Sequence, residues 1–126
     1  MRLHHVALAC SSPERAERFY HDILGLSKIK TFRLSKELSE QIFEISHEYE
    51  MITYGSDLFI IELFITPPSK IEVGVVNHFC LQVDDREELL KKCESVGLEV
   101  KRIKKEDSIV TFIKDFDGNL IEIKES

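Results

Sequence analysis

The chain has 126 residues and a formal net charge of −6, from 17 basic and 23 acidic side chains. This length fits one domain, and an acidic chain without a strong basic stripe is a poor candidate for binding nucleic acid. No segment approaches the ~18 apolar residues of a membrane span, and the first residues run directly into a strand pattern instead of a secretory signal, so a cytoplasmic protein is expected.

The first half of the chain predicts a strand, a helix and then further strands. Residues 3–9 alternate so that His5, Ala7 and Ala9 share one face of a strand. Ser12 and Pro13 open a helix, whose apolar residues keep helical spacing until a closing glycine. Further strand patterns lie at 27–34, 41–46, 50–54 and 58–65. The region 35–50 is compatible with either a long hairpin or a mobile loop.

The last of these strands carries one carboxylate, Glu62, in the middle of an apolar run. Turn residues bound the run on both sides, which predicts a strand buried on both faces. Alternation places Glu62 on the same face as Ile60 and Phe64. A carboxylate removed from water costs roughly several kcal/mol unless it is paired or binds a metal. The partner of Glu62 is therefore the central question.

After a predicted linker at 67–75, rich in proline and glycine, the same pattern begins again. A strand over 77–83 precedes a helix that Asp85 caps and Gly97 closes. Strands follow at about 99–104, 109–114 and 120–124. Both halves thus have the order strand, helix, strand, strand, strand. We expect one domain, 1–126, made of the repeats 1–66 and 76–126.

Alignment of the two repeats places His5 opposite His78 and Glu62 opposite Glu122. The first repeat is 12 residues longer between helix end and glutamate, and the extra length falls in the region 35–50. Two imidazoles and two carboxylates form a nitrogen and oxygen ligand set for a catalytic divalent cation, such as Ni, Co, Mn or Zn. Cysteine is not part of this set, and the three cysteines lack metal-site spacing.

Each residue of this set also has a purely structural interpretation. A lone strand histidine is more often a core or surface residue, and Glu122 near the C-terminus resembles a solvated residue of an edge strand. His4 competes with His5, but alternation places His4 with Val6 and Leu8 on the opposite face. Only the repeat alignment favours a shared site for the four residues.

The chain resembles the vicinal oxygen chelate superfamily of glyoxalases, bleomycin-resistance proteins and extradiol dioxygenases. The matching segments are 5–8, 18–26, 61–63, 78–84 and 112–122. The resemblance implies an α+β fold, in which two βαβββ modules form a curved mixed sheet around a metal-centred cavity. It also implies a homodimer and a small-molecule substrate.

Within the superfamily, the ligand order is similar to that of glyoxalase I. The resemblance implies the metal ligands His5, Glu62, His78 and Glu122. It further implies a lyase or isomerase in which the cation chelates two adjacent oxygens of an α-oxygenated carbonyl substrate and stabilises an enediolate. Glu122 is the expected proton shuttle, with Glu62 as the second choice. Glutathione-using glyoxalases often place an arginine at the position of Ala9, so use of glutathione is not implied.

Three alternatives remain within the resemblance: a methylmalonyl-coenzyme A epimerase-like enzyme, an extradiol-type dioxygenase, and a drug-binding module without catalysis. For the drug-binding module, the expected lining of a cavity is aromatic. The candidate lining residues are Tyr20, Phe32, Phe43, Tyr49, Tyr54 and Phe64. The two glutamates favour the metal-dependent enzyme, because a pure binder has no evident reason to bury them.

Overall fold

The structure is a computed structural model that describes residues 1–126. It divides into two compact units, Met1–Ile71 and Glu72–Ser126. The division lies inside the predicted linker 67–75. Each unit combines one mixed β-sheet with few helices, so the α+β class is confirmed. That the two units form one domain stays a prediction.

The first unit contains six elements. They are β1 (His5–Cys10), α1 (Pro13–Ala16), which continues as a π-helix (Glu17–Ile23), β2 (Ser27–Leu34), α2 (Lys36–Phe43), β3 (Tyr49–Gly55) and β4 (Ile60–Ile65). The sheet order is β1-β4-β3-β2, with β1 and β4 parallel and the other pairs antiparallel. The first and last strands of the unit are therefore neighbours.

The second unit has the same plan without a counterpart of α2. After a 3-10 turn at Pro68–Lys70, its elements are β5 (His78–Val83), α3 (Arg86–Ser95), β6 (Val100–Lys105), β7 (Ser108–Lys114) and β8 (Leu120–Glu125). The sheet order is β5-β8-β7-β6, and again only the first and last strands are parallel. The predicted βαβββ order is present in both units.

The helix boundaries follow the predicted capping residues. The Ser12 side chain accepts a hydrogen bond from the Arg15 backbone N–H at 3.2 Å, and the Asp85 side chain accepts one from the Glu88 N–H at 2.9 Å. Past the helix ends, Gly25 has φ +74° and Gly97 has φ +80°, a backbone conformation in which glycine is favoured.

The region 35–50 differs from the prediction, because it contains the helix α2 and neither a strand at 41–46 nor a long hairpin. The Ser35 side chain caps α2 by accepting from the Leu38 N–H at 3.2 Å. Within α2, Leu38 and Ile42 are four residues apart, as on one face of a helix, and the Ser35 cap together with this spacing outweighs the β-branched residues that suggested a strand. The extra length of the first repeat is therefore a helix.

The apolar run around Glu62 is buried on one face only, so the expectation of a strand buried on both faces was wrong. Ile61 and Leu63 are completely buried, whereas Leu58 is 82% exposed and lies outside β4. Glu62 and its two same-face neighbours, Ile60 and Phe64, are half-buried. One face of β4 thus belongs to the core, and the other presents Glu62.

A buried hydroxyl links the core of the first unit to its π-helix. Tyr54 is completely buried, and its hydroxyl donates a hydrogen bond to Glu17 Oε2 at 2.6 Å. This hydrogen bond, aided by nearby Lys28, lowers the pKa of Glu17 below its ordinary value of 4.5. Burial and the same hydrogen bond raise the pKa of Tyr54, so the phenol stays protonated.

Tyr54→Phe is expected to lower the free energy of unfolding by about 1 kcal/mol at neutral pH, a modest loss because Glu17 is partly solvated. A lowered carboxyl pKa stabilises the fold above the ordinary pKa, and the stabilisation is lost as the pH falls through the lowered pKa. The difference between the wild type and the variant should therefore shrink in acid. Urea unfolding at several pH values measures it, with Tyr49→Phe as the control. A difference that grows as the pH falls would contradict the assignment.

Candidate metal centre

The first half of the candidate site lies on the neighbouring parallel strands β1 and β4. Their register sets Ala7 beside Glu62. His5, on the same face, places its Nε2 3.2 Å from Glu62 Oε1. The Glu62 side chain is 22% exposed, so it is largely withdrawn from water. His4 contacts the His5 ring, with their Nδ1 atoms 2.9 Å apart, and the histidine whose Nε2 approaches Glu62 is His5.

The second half repeats this arrangement on β5 and β8. His78 Nε2 lies 3.7 Å from Glu122 Oε2, and the Glu122 side chain is 17% exposed. His78 Nδ1 donates to the Val76 carbonyl oxygen at 2.8 Å, which leaves Nε2 as the nitrogen available for a metal. The Phe112 ring, next to Glu122 across the ladder, packs edge-on against the imidazole at 5.4 Å.

The structure thus brings His5 to Glu62 and His78 to Glu122. Both pairs arise from the parallel contact between the first and last strands of a unit, which the repeat alignment did not specify. That all four side chains hold a single ion stays a prediction.

The chemistry of these donors fits a divalent cation with nitrogen and oxygen ligands. Each carboxylate is largely buried and has an imidazole as a close partner. One cysteine lies beside this site: Cys80 on β5 is the residue paired with Glu122 on β8. Partial desolvation of the sulfur, followed by the charge of Glu122, raises the pKa of Cys80, so this sulfur is a neutral thiol.

The second half also contains a cation that the sequence did not mark. Lys124 Nζ lies 3.9 Å from Glu122 Oε1, and Lys124 follows the glutamate on the same face of β8. In the sequence, Lys124 is one of several charged residues at the end of the chain, so nothing distinguished it. Its counterpart in the first unit is Phe64, an apolar residue.

Five of the six residues predicted to form an aromatic lining fall into two groups. Tyr20 and Tyr54 are core residues with 1% and 0% exposure, so they do not line an open cavity. Phe64 instead contacts Phe43 and Tyr49, with ring centroids 5.5 Å apart in both pairs. The sixth residue, Phe32, lies beneath the Lys30 ammonium group at 4.7 Å.

A second cluster of metal-ligand types lies on the π-helix. One ligand atom from each of Glu17, His21 and Asp22 lies within 4.8 Å of the others. Glu17 is engaged by Tyr54 at 2.6 Å and by Lys28 at 3.8 Å, and His21 and Asp22 are exposed. Charged residues at such spacing are ordinary on an exposed helix, so the sequence did not mark this cluster.

Comparison with known proteins identifies the family. The model of the Glyoxalase/Bleomycin resistance protein/Dioxygenase superfamily matches residues 2–123. The lactoylglutathione lyase of Escherichia coli O157:H7 is 29% identical over 99% of this chain and 93% of its own length.

None of the helices of this chain combines the length and the apolar character that a membrane span requires.

Solved structures show the same fold. A glyoxalase family protein from Bacillus cereus superposes with a TM-score of 0.75 at 19% identity, covering 99% of this chain and 93% of that one. The fosfomycin resistance protein FosX of Listeria monocytogenes has a TM-score of 0.74 at 14% identity, covering 100% and 93%. The fold is therefore glyoxalase-like, and the chain belongs to the Glyoxalase/Bleomycin resistance protein/Dioxygenase superfamily.

Proposed function

We propose that this protein is a divalent-metal-dependent lyase or isomerase of the glyoxalase I type. Its substrate is a small carbonyl compound with an oxygen on the adjacent carbon. The four ligands are His5, Glu62, His78 and Glu122. The observation that carries the proposal is the pairing of one imidazole with one largely buried carboxylate in each unit, at 3.2 Å and 3.7 Å.

A bound divalent cation would supply Lewis-acid polarisation of the two adjacent oxygens of the substrate. The protein's own residues then move a proton. Glu122 takes it from the carbon next to the carbonyl group and delivers it to the carbonyl carbon, while the hydroxyl proton passes to the former carbonyl oxygen, so the step is an isomerisation without gain or loss of electrons. The partial burial of both carboxylates limits the water that competes for this proton.

The two glutamates are not equally suited to this role. Glu122 lies farther from its imidazole than Glu62 does, 3.7 Å against 3.2 Å, and so is held less closely. Lys124, 3.9 Å from the other oxygen of Glu122, offers an alternative partner when that carboxylate moves. We therefore assign proton transfer to Glu122 and a holding role to Glu62.

Metal titration tests the proposal. The wild type is expected to bind about one Ni, Co, Mn or Zn ion per chain, since four ligands fill one site. Isothermal titration calorimetry with each metal measures the uptake. The Glu62→Ala, Glu122→Ala double variant should bind none, because only two imidazoles remain.

The second carboxylate cluster provides a matched control. A His21→Ala, Asp22→Ala double variant removes two exposed ligand types from the π-helix and should bind metal like the wild type. The proposal fails if the wild type takes up none of the four metals. It also fails if uptake survives the loss of both glutamates and disappears in the control.

A drug-binding module without catalysis is the second candidate. It is favoured by the contacts of Phe43, Tyr49 and Phe64 on the face of the sheet that bears Glu62. Such a protein would bind an aromatic compound equally well with and without metal. Neither an epimerase-like enzyme nor a dioxygenase has a comparable feature in its favour.

We further propose a cytoplasmic homodimer in which both units make up one domain. All three cysteines are free, and Cys80 is exposed, which suits a reducing compartment. Size-exclusion chromatography with light scattering checks the dimer, and a single unfolding transition would support the single domain.

A further inference from the structure

The ring nitrogen of His5 that faces away from Glu62 also has a partner. His5 Nδ1 lies 2.9 Å from Nδ1 of His4, and the two rings meet edge-on with centroids 5.2 Å apart. At this distance the two nitrogens share one proton in a hydrogen bond. The His5 imidazole is therefore held on both sides, by Glu62 at Nε2 and by His4 at Nδ1.

His4 reaches His5 because it lies outside the strand. β1 begins at His5, so the alternation that would turn His4 to the opposite face of the sheet does not act on it. His4 is exposed, and among residues 1–126 its side chain has no other hydrogen-bond or ion-pair partner. The contact between the two histidines therefore contributes to the orientation of His5 and not to the packing of the core.

The second half of the site holds its histidine in another way. His78 Nδ1 lies 2.8 Å from the Val76 carbonyl oxygen. A carbonyl oxygen only accepts, so the proton of neutral His78 is on Nδ1 and its Nε2 has a free lone pair. Asn77, the residue equivalent to His4, is exposed, and its side chain takes no part in this hydrogen bond. The backbone alone sets the tautomer of His78.

A metal on Nε2 of His5 requires the same tautomer. Neutral imidazole has one N–H, and a nitrogen that binds a cation has none, so the proton of His5 is then on Nδ1. His4 Nδ1 must accept this proton, which means that the proton of neutral His4 is on Nε2. An imidazole at position 4 can do so, and without a metal it can also donate from Nδ1 while the His5 proton points from Nε2 towards Glu62.

We propose that His4 is a positioning residue of the candidate metal centre. Its Nδ1 accepts the hydrogen bond of the His5 Nδ1–H, and this bond fixes the ring and the tautomer that present His5 Nε2 to the metal. His4 itself does not bind the metal. The inference rests on the proposed function, because it takes His5 as a ligand. Loss of such a partner of a ligand typically reduces metal affinity by about 10-fold to 100-fold.

Zn affinities of two His4 variants test this role. His4→Phe keeps a ring against His5 but removes the accepting nitrogen, so Zn affinity should fall by about tenfold or more. His4→Asn restores an acceptor, because its side-chain oxygen lies near the position of Nδ1, and should bind Zn within about threefold of the wild type. Calorimetry in competition with a chelator measures both affinities.

Asn77→Leu is the matched control, because it also replaces a polar side chain by an apolar one, at the repeat-equivalent position. Its Zn affinity should stay within about twofold of the wild type, since the Val76 carbonyl group still holds His78. All three variants should unfold at the same urea concentration as the wild type, because both positions are exposed. An unchanged Zn affinity in His4→Phe, or an equal loss in His4→Phe and Asn77→Leu, overturns the proposal.

Nitrogen NMR of the isotope-labelled, Zn-loaded wild type reports the protons directly. The proton of His5 should be on Nδ1 and the proton of His4 on Nε2. A His4 proton on Nδ1 in the loaded protein overturns the proposal, because that nitrogen could not accept. A wild type that takes up no metal refutes the proposed function and the role of His4 together. Metal uptake by the wild type with undiminished Zn affinity in His4→Phe refutes the role of His4 alone.

Discussion

Glu122→Gln is expected to lower turnover by about 100-fold to 1,000-fold while the metal remains bound. Glutamine keeps an oxygen ligand but cannot accept the substrate proton, and loss of general acid–base catalysis is typically of this size. The assay follows the hemithioacetals that methylglyoxal and phenylglyoxal form with small thiols, by NMR in D2O. The wild type should incorporate deuterium from the solvent at the carbon that receives the proton. The Glu122→Gln variant should lose this incorporation together with turnover.

Glu62→Gln is the matched comparison, because it makes the same chemical change at the repeat-equivalent position. Glu62→Gln should retain more turnover than Glu122→Gln, and it should bind the metal more weakly than Glu122→Gln does. Equal turnover of Glu122→Gln and the wild type would remove Glu122 from the mechanism. A larger loss in Glu62→Gln would transfer the proton shuttle to Glu62. No reaction of the wild type with any hemithioacetal would count against a glyoxalase-type activity.

Leu63→Ala is expected to lower the free energy of unfolding by about 3 kcal/mol. Leu63 is completely buried on the core face of β4, and truncation leaves a cavity that the flanking strands cannot close. Urea unfolding monitored by circular dichroism measures the loss. Because Leu63 adjoins Glu62 in the chain, metal affinity of the folded variant also shows how much the site depends on packing behind it.

Leu58→Ala makes the same substitution five positions earlier in the chain, at a residue that is 82% exposed. Its free energy of unfolding should stay within about 0.5 kcal/mol of the wild type. Similar losses in the two variants would contradict the assignment of the core to one face of β4. This comparison tests the structural finding that departs from the expected strand buried on both faces.

The sequence predicted the repeated framework because capping residues and alternation are local signals. Ser12, Asp85 and the glycines at the helix ends act within a few residues of the boundary that they set. The sequence predicted that His5 and Glu62 belong to the same metal site, but it did not predict that the two side chains are in direct contact. Their direct contact depends on which strands are neighbours, and strand order is not encoded in any short segment.

The helix α2 shows where local signals conflict. Ile42, Phe43 and Ile45 favour a strand by residue type, but the Ser35 cap starts a helix that ends at Phe43, before Ile45. Phe43, Tyr49 and Phe64 were predicted as lining residues, but the contacts among these three rings could not be predicted from local signals. The three rings come from α2, β3 and β4, and two of the six predicted lining residues belong to the core instead.

The parallel contact between the first and last strands of each unit has a kinetic consequence. His5 and Glu62 are 57 residues apart in the chain, and His78 and Glu122 are 44 apart. Closing such long loops is entropically unfavourable, so contacts of this kind form late in folding. Neither ligand pair can exist until its whole unit has been synthesised and its last strand has docked. An ion that binds only the completed pairs would therefore stabilise the folded chain and raise its free energy of unfolding.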